Sequence, residues 1–127
     1  MTYVDIVTAL ALLQFMVFGF KVARARGRYG IAAPAIAGNE IFERYFRVQQ
    51  NTLEQLIVFL PALHVFSHSY SPLVAAALGV VYLIGREIYA ITYVKDPKKR
   101  ELGFLLTVLP TAILIIGALF GAIRQLK

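Results

Sequence analysis

LGFLLTVLPTAILIIGALFGAI, residues 102–123, decides the fold class: 22 consecutive positions between Glu101 and Arg124 carry no charge. A helix rising 1.5 Å per residue needs about 20 apolar residues to cross a hydrocarbon core about 30 Å thick. Two other stretches share the character. Asp5 and Lys21 enclose an uncharged apolar run, and 31 uncharged positions separate Glu54 from Arg86. Of the 127 residues, 59% are hydrophobic and 16% charged, whereas soluble domains average about 45–50% and about 25%. A soluble domain of this size could not hide so much apolar surface. The chain therefore reads as an all-α integral membrane protein. A soluble enzyme, a disordered chain and a nucleic-acid-binding domain are excluded.

Four spans are predicted, at about residues 3–23, 45–67, 73–94 and 102–123, within a single domain covering residues 1–127. Residues 1–20 lack a basic n-region and a small-x-small cleavage site, so they read as a span and not as a secretory signal. Residues 29–39 read as a weakly structured loop with Pro34, and residues 67–72 as a turn. The second segment is the odd one. Its second half is apolar, but its first half carries Glu43, Arg44, Arg47, Gln49, Gln50, Asn51, Glu54 and Gln55. It is expected to be one long helix from Glu40 to Ser67, its polar half near the interface, with a kink at Pro61.

The net charge of +6 has a topological cause. Lys21, Arg24, Arg26, Arg28, Arg44, Arg47, Lys95, Lys98, Lys99 and Arg100 flank the first and third loops. Arg124 and Lys127 lie on the other side, and Arg86 lies inside span three. The positive-inside rule places the ten in the cytoplasm and both termini outside. The minimal loops suit a bacterial inner membrane; an endoplasmic-reticulum membrane would suit the same pattern. There is no cysteine, hence no disulfide or thiolate metal site. His64 and His68 stand at metal-ligand spacing, but no third ligand accompanies them, so no metal is expected. The Ala75/Gly79 and Gly117/Gly121 pairs are small-residue helix-packing faces.

Two polar stripes carry the functional reading. At 100° per residue, Glu40, Glu43, Arg47, Asn51 and Glu54 fall within about 80° of arc. One reading is an amphipathic entry turn in which Glu43–Arg47 and Arg47–Glu54 pairs neutralise one another. The other is a ligand site, the default for ionisable residues at membrane depth. Gln49 points about 160° away from Asn51, toward either a neighbouring subunit or water. On span three, Tyr82, Arg86, Tyr89 and Tyr93 form a second stripe, which Arg100 joins if the helix continues through Pro97. An intramembrane arginine must be paired, and Glu54 or Glu87 is the expected partner. Two stripes at one boundary describe a pocket for a polar, anionic ligand.

The block Glu43-Arg-Tyr-Phe-Arg47-Val-Gln49-Gln-Asn51-Thr-Leu-Glu54, with Arg86-Glu-Ile-Tyr89-x-x-x-Tyr93 and Arg100, resembles the signature of the MAPEG family, the membrane-associated proteins in eicosanoid and glutathione metabolism. The resemblance covers the whole chain. It implies a homotrimer of four-helix bundles that binds glutathione, as co-substrate, between neighbouring subunits. Arg47, Asn51, Glu54, Tyr89 and Tyr93 would hold the tripeptide, with Arg100 near its sulfur as the catalytic group. Arg26 and Gln49 would reach it from the adjacent subunit, and Arg86 would pair inside the bundle. Three departures stand out: Gln55, Gly27 and Glu101 replace a tyrosine, an arginine and a serine of the eicosanoid-specific branches. They favour a general glutathione transferase or peroxidase acting on lipophilic molecules from the bilayer. A non-catalytic lipid- or partner-binding member is the alternative, as is a small transporter or structural membrane protein.

Overall fold

The structure is a computed structural model that describes residues 1–126; Lys127, placed above on the non-cytoplasmic side, lies outside the described residues. Four long α-helices follow one another: α1 (Thr2–Tyr29), α2 (Glu40–Ser69), α3 (Pro72–Lys95) and α4 (Glu101–Arg124), with a 3-10 turn at Pro97–Lys99 between the last two. No strand occurs among the described residues. The helix α1, the helix α3 and the segment Pro97–Arg124 are long and apolar enough to cross a membrane by length and composition. The α2 helix falls outside that class because its first half is charged.

Local chemistry sets the boundaries. Gly30, with φ of 69°, ends α1 in the left-handed conformation that glycine adopts without steric cost. The Asn39 side chain accepts from the N–H groups of Ile41 and Phe42, both at 2.9 Å, and opens α2. Ser71 caps α3 with Pro72 in its first turn. Asp96 accepts from Lys98 N–H at 3.1 Å and holds the 3-10 turn. Three expectations change. Lys21, Arg24, Arg26 and Arg28 belong to α1 itself. The α2 helix persists to Ser69, leaving only Tyr70 and Ser71 as the turn. The helix α3 stops at Lys95, so Arg100 does not extend its stripe; it is the N-cap position of α4.

Buried positions on α1 recur as Val4, Val7, Ala11, Gln14, Phe18, Val22 and Ala25, the spacing of one helix face. Val4, Val7 and Ala11 meet Leu56, Phe59 and Leu63 of α2, Ala75 and Tyr82 of α3, and Leu114 of α4 in the main core, while Phe18 packs with Val48, Tyr89 and Ala90, and Val22 and Ala25 with Phe42. The Phe59 and Tyr82 rings stack at 3.8 Å, which makes Tyr82 a core residue and not part of the site. Glycines bring helices together: a Cβ on Gly85 would lie 2.7 Å from the Leu106 backbone, and one on Gly103 would collide with the Tyr89 backbone. Gly117 faces Phe66 and Gly121 faces Ser69, so both small-residue pairs of the sequence do pack helices, Gly79 meeting Val7. Outward faces are apolar: Leu13, Phe20, Ile57, Leu105 and Phe120 are exposed, as lipid contact requires.

Candidate functional site

The charged end of α2 is fixed to α3 by Arg44. Its Nη1 donates to the Val94 carbonyl at 3.0 Å and, at 3.4 Å, to that of Lys95, satisfying orphan carbonyls at the C-terminus of α3. Its Nη2 meets Glu40 at 3.4 Å, the one salt bridge among the described residues. The Glu43–Arg47 and Arg47–Glu54 pairs of the entry-turn reading do not form. Glu43 instead accepts from Gly38 N–H at 3.3 Å.

Behind this end sits Arg86, fully buried. Its Nη2 donates to Asn51 Oδ1 and Thr52 Oγ1, both at 2.9 Å, and its Nη1 to Thr107 Oγ1 at 3.4 Å. Its guanidinium lies 4.4 Å from the Tyr89 ring centroid, in cation–π range. The expected carboxylate partner is not there: Glu54 and Glu87 both face outward, and Glu87 accepts from Gln14. Arg86 is thus held by neutral acceptors from α2 and α4 and by the Tyr89 ring of its own helix, and no carboxylate compensates its positive charge. Because Asn51 turns its oxygen to Arg86, its amide N–H groups are left for whatever lies in front.

What lies in front is a recess of about 290 Å³ lined by Arg47, Asn51, Tyr89, Tyr93, Arg100, Glu101 and Phe104. Helix α2 supplies the first two residues, α3 the tyrosines, and the start of α4 the rest. The Tyr89 and Tyr93 rings stack at 5.3 Å and form one wall. Arg47 and Arg100 are exposed. Five residues singled out in the sequence therefore converge, and three do not. Glu54 faces outward on α2. Gln49 is half-buried beside its own α1, where a Cβ on Gly19 would lie 3.1 Å from Nε2. Arg26 lies over the Phe42 ring at 4.9 Å and donates to the Ala35 carbonyl at 2.6 Å, holding the first loop.

A sequence model described as the MAPEG family matches residues 4–120. The chain belongs to the MAPEG family. Among its relatives is an uncharacterized protein of Synechocystis, 48% identical over 96% of this chain and 89% of that one. Microsomal glutathione S-transferase 2 of Homo sapiens is 37% identical over 92% of this chain and 78% of its own length. Leukotriene C4 synthase of Cavia porcellus is 34% identical over 74% of this chain and 63% of its own. As a MAPEG protein with three strongly apolar helices, the chain is an integral membrane protein. Of Gln55, Gly27 and Glu101, Glu101 lines the recess beside Arg100 and the other two do not. Sequence reasoning missed Thr52 and Thr107, which complete the Arg86 cradle, and Arg44. A threonine at the depth of a buried arginine is the signal that could have marked the first two.

Proposed function

We propose that this chain is a membrane-embedded glutathione transferase, with glutathione-dependent peroxidase activity within reach of the same chemistry, acting on lipophilic electrophiles that arrive from the bilayer. The observation that carries the reading is the recess itself. Two exposed guanidiniums and the free amide of Asn51 converge there, a third guanidinium lies uncompensated behind them, and only Glu101 opposes them. Glutathione carries two carboxylates and one ammonium, so a wall rich in donors with one anion matches it. The similarity to microsomal glutathione S-transferase 2 supports the same ligand.

In this reading Arg47 and Asn51 bind carboxylate and peptide groups, Tyr89 and Tyr93 wall the tripeptide, and Arg100 stabilises the sulfur as thiolate. A guanidinium stays protonated, and a partly dehydrated site strengthens its pull on an anion. The thiolate attacks the electrophilic carbon; a C–S bond forms as the leaving group departs with its electron pair. With a hydroperoxide the O–O bond breaks, leaving an alcohol and a sulfenic acid that a second glutathione reduces, releasing water and the disulfide. The exposure of Arg47 and Arg100 leaves the recess open on one side. A homotrimer of four-span subunits would close it, a neighbour presenting its Arg26 and Gln49, and Glu54 would join from the rim. The positive-inside rule puts this end in the cytoplasm of a bacterial cell, with both termini outside.

Glutathione titration of the detergent-purified protein, followed by conjugation of a chlorodinitrobenzene-type electrophile, tests the function. Binding with turnover is expected. Binding without turnover would favour the non-catalytic alternative, and no binding would end the glutathione reading. Mass measurement in mild detergent should give three chains, and a reporter fused after residue 126 should read as external.

A further inference from the structure

On the far side of α3 from the recess, α1 and α3 diverge to leave an apolar groove of about 440 Å³, lined by Leu13 and Val17 on one side and Ile84 and Ile91 on the other. Two polar residues interrupt it, Gln14 and Glu87. Gln14 is only 9% exposed. Its Nε2 donates to the Leu83 carbonyl at 3.0 Å and to Glu87 Oε1 at 3.1 Å. Both partners accept, which fixes the amide orientation and turns Oε1 inward; that oxygen is buried without a partner. Glu87 faces outward, and among the described residues no cation pairs with it. Lys95 lies eight positions further on, which puts Glu87 about 12 Å of helix below the charged end of α3.

A carboxylate at that depth is costly unless something compensates it. The polar atom that the groove still offers is an acceptor, the second carboxylate oxygen of Glu87, since the Gln14 amide already donates to the first and its own oxygen is buried. The complement is a cation that only donates. The alkyl part of an occupant gains little, because lipid tails are as apolar as the groove. Selectivity must therefore come from the head.

We propose that the α1–α3 groove is a binding site for a lipophilic amine, whose protonated nitrogen pairs with Glu87, held in place by the Gln14 amide, while its chain lies along Val17 and Ile91. The site is separate from the recess and does not depend on the glutathione reading. The test is photolabelling of the full-length protein in zwitterionic nanodiscs by dodecylamine carrying a diazirine, with labelled peptides located by mass spectrometry. Label should fall on residues 10–17 and 83–91. Dodecylamine should suppress it, dodecanol only at about tenfold or higher concentration, and dodecanoate not at all. Glu87→Gln should raise the half-labelling concentration about tenfold to hundredfold, the value of a hydrogen bond to a charged group. Gln14→Leu should raise it less, and Glu43→Gln should leave it unchanged. Helix content and thermal midpoint establish that each variant is folded. The proposal is overturned if Glu87→Gln labels like the parent or if dodecanoate competes as well as dodecylamine. It is equally overturned if Glu87→Gln changes the oligomer mass while labelling stays the same, which would make the groove a subunit contact.

Discussion

Thr52→Val isolates the cradle of Arg86 from the recess in front of it. Thr52 is fully buried and does not line the recess. Its hydroxyl donates to the Val48 carbonyl at 2.8 Å and accepts from Arg86 Nη2 at 2.9 Å. Valine keeps the branched shape and deletes only the oxygen. The Val48 carbonyl keeps its helical N–H partner, so the loss falls on Arg86, whose Nη2 is left with Asn51 alone. Nothing else can step in, since Nε already lacks a partner. A hydrogen bond to a charged group contributes about 1.5–3 kcal/mol, and that is the expected loss of stability. Thr107→Val is the internal control: its contact is 3.4 Å, at the limit of hydrogen bonding, so its cost should stay below about 1 kcal/mol. Reversible unfolding in mixed micelles of rising dodecyl sulfate fraction, followed by circular dichroism, reads both. If Thr52→Val unfolds with the parent, or if Thr107→Val costs as much, the neutral-acceptor account of Arg86 is wrong.

Arg47→Ala should raise the glutathione dissociation constant about tenfold to hundredfold, since a carboxylate loses a charged partner worth about 1.5–3 kcal/mol; calorimetric titration checks it. Arg100→Ala should lower turnover far more than it weakens binding, the pattern of an interaction made mainly with the reacting state, whereas Lys99→Ala should change neither. Equal effects from those two variants would reduce Arg100 to a headgroup anchor. Gly103→Ala drives a methyl into the Tyr89 backbone and should cost about 1–3 kcal/mol of stability by the same unfolding assay, with weaker glutathione binding as the tyrosine wall shifts.

The apolar spans were legible because a charge-free run longer than about 20 residues has few alternatives to a membrane helix. The long second helix was legible too, since its apolar half follows directly on the polar one without a turn signal. What failed was whatever depended on where helices end and on what faces them. Helical phase assigned Arg100 to the α3 stripe, but Asp96 and Pro97 stop α3 and a 3-10 turn delivers Arg100 from the start of α4. The residue reaches the same recess by a different path. Arg86 was expected to find a carboxylate because only charges stand out in a sequence. Thr52 and Thr107 look like ordinary helix threonines bonded back to the preceding turn, as they are, and their second bond exists only in three dimensions. The approach of Gln49 to Gly19 of its own α1 is likewise something that no pattern on α2 could reveal.

The uncompensated charge of Arg86 makes a last variant informative. Asn51 sits between that charge and the recess, its oxygen toward Arg86 at 2.9 Å and its amide free. Asn51→Asp keeps the size and the acceptor, removes the two N–H donors, and places an anion against a buried cation. Two effects of opposite sign should follow. The pairing offsets part of the desolvation cost that neutral acceptors leave in place, so stability in the unfolding assay should hold or rise; removing a partner outright would instead lower it. The recess loses donors and gains a negative charge facing the carboxylates of glutathione, so the dissociation constant should rise at least about tenfold, the equivalent of about 1.4 kcal/mol. A merely structural asparagine would show the first effect without the second. A variant that binds glutathione like the parent would therefore show that Asn51 serves Arg86 alone, and the recess would have to find its donors elsewhere.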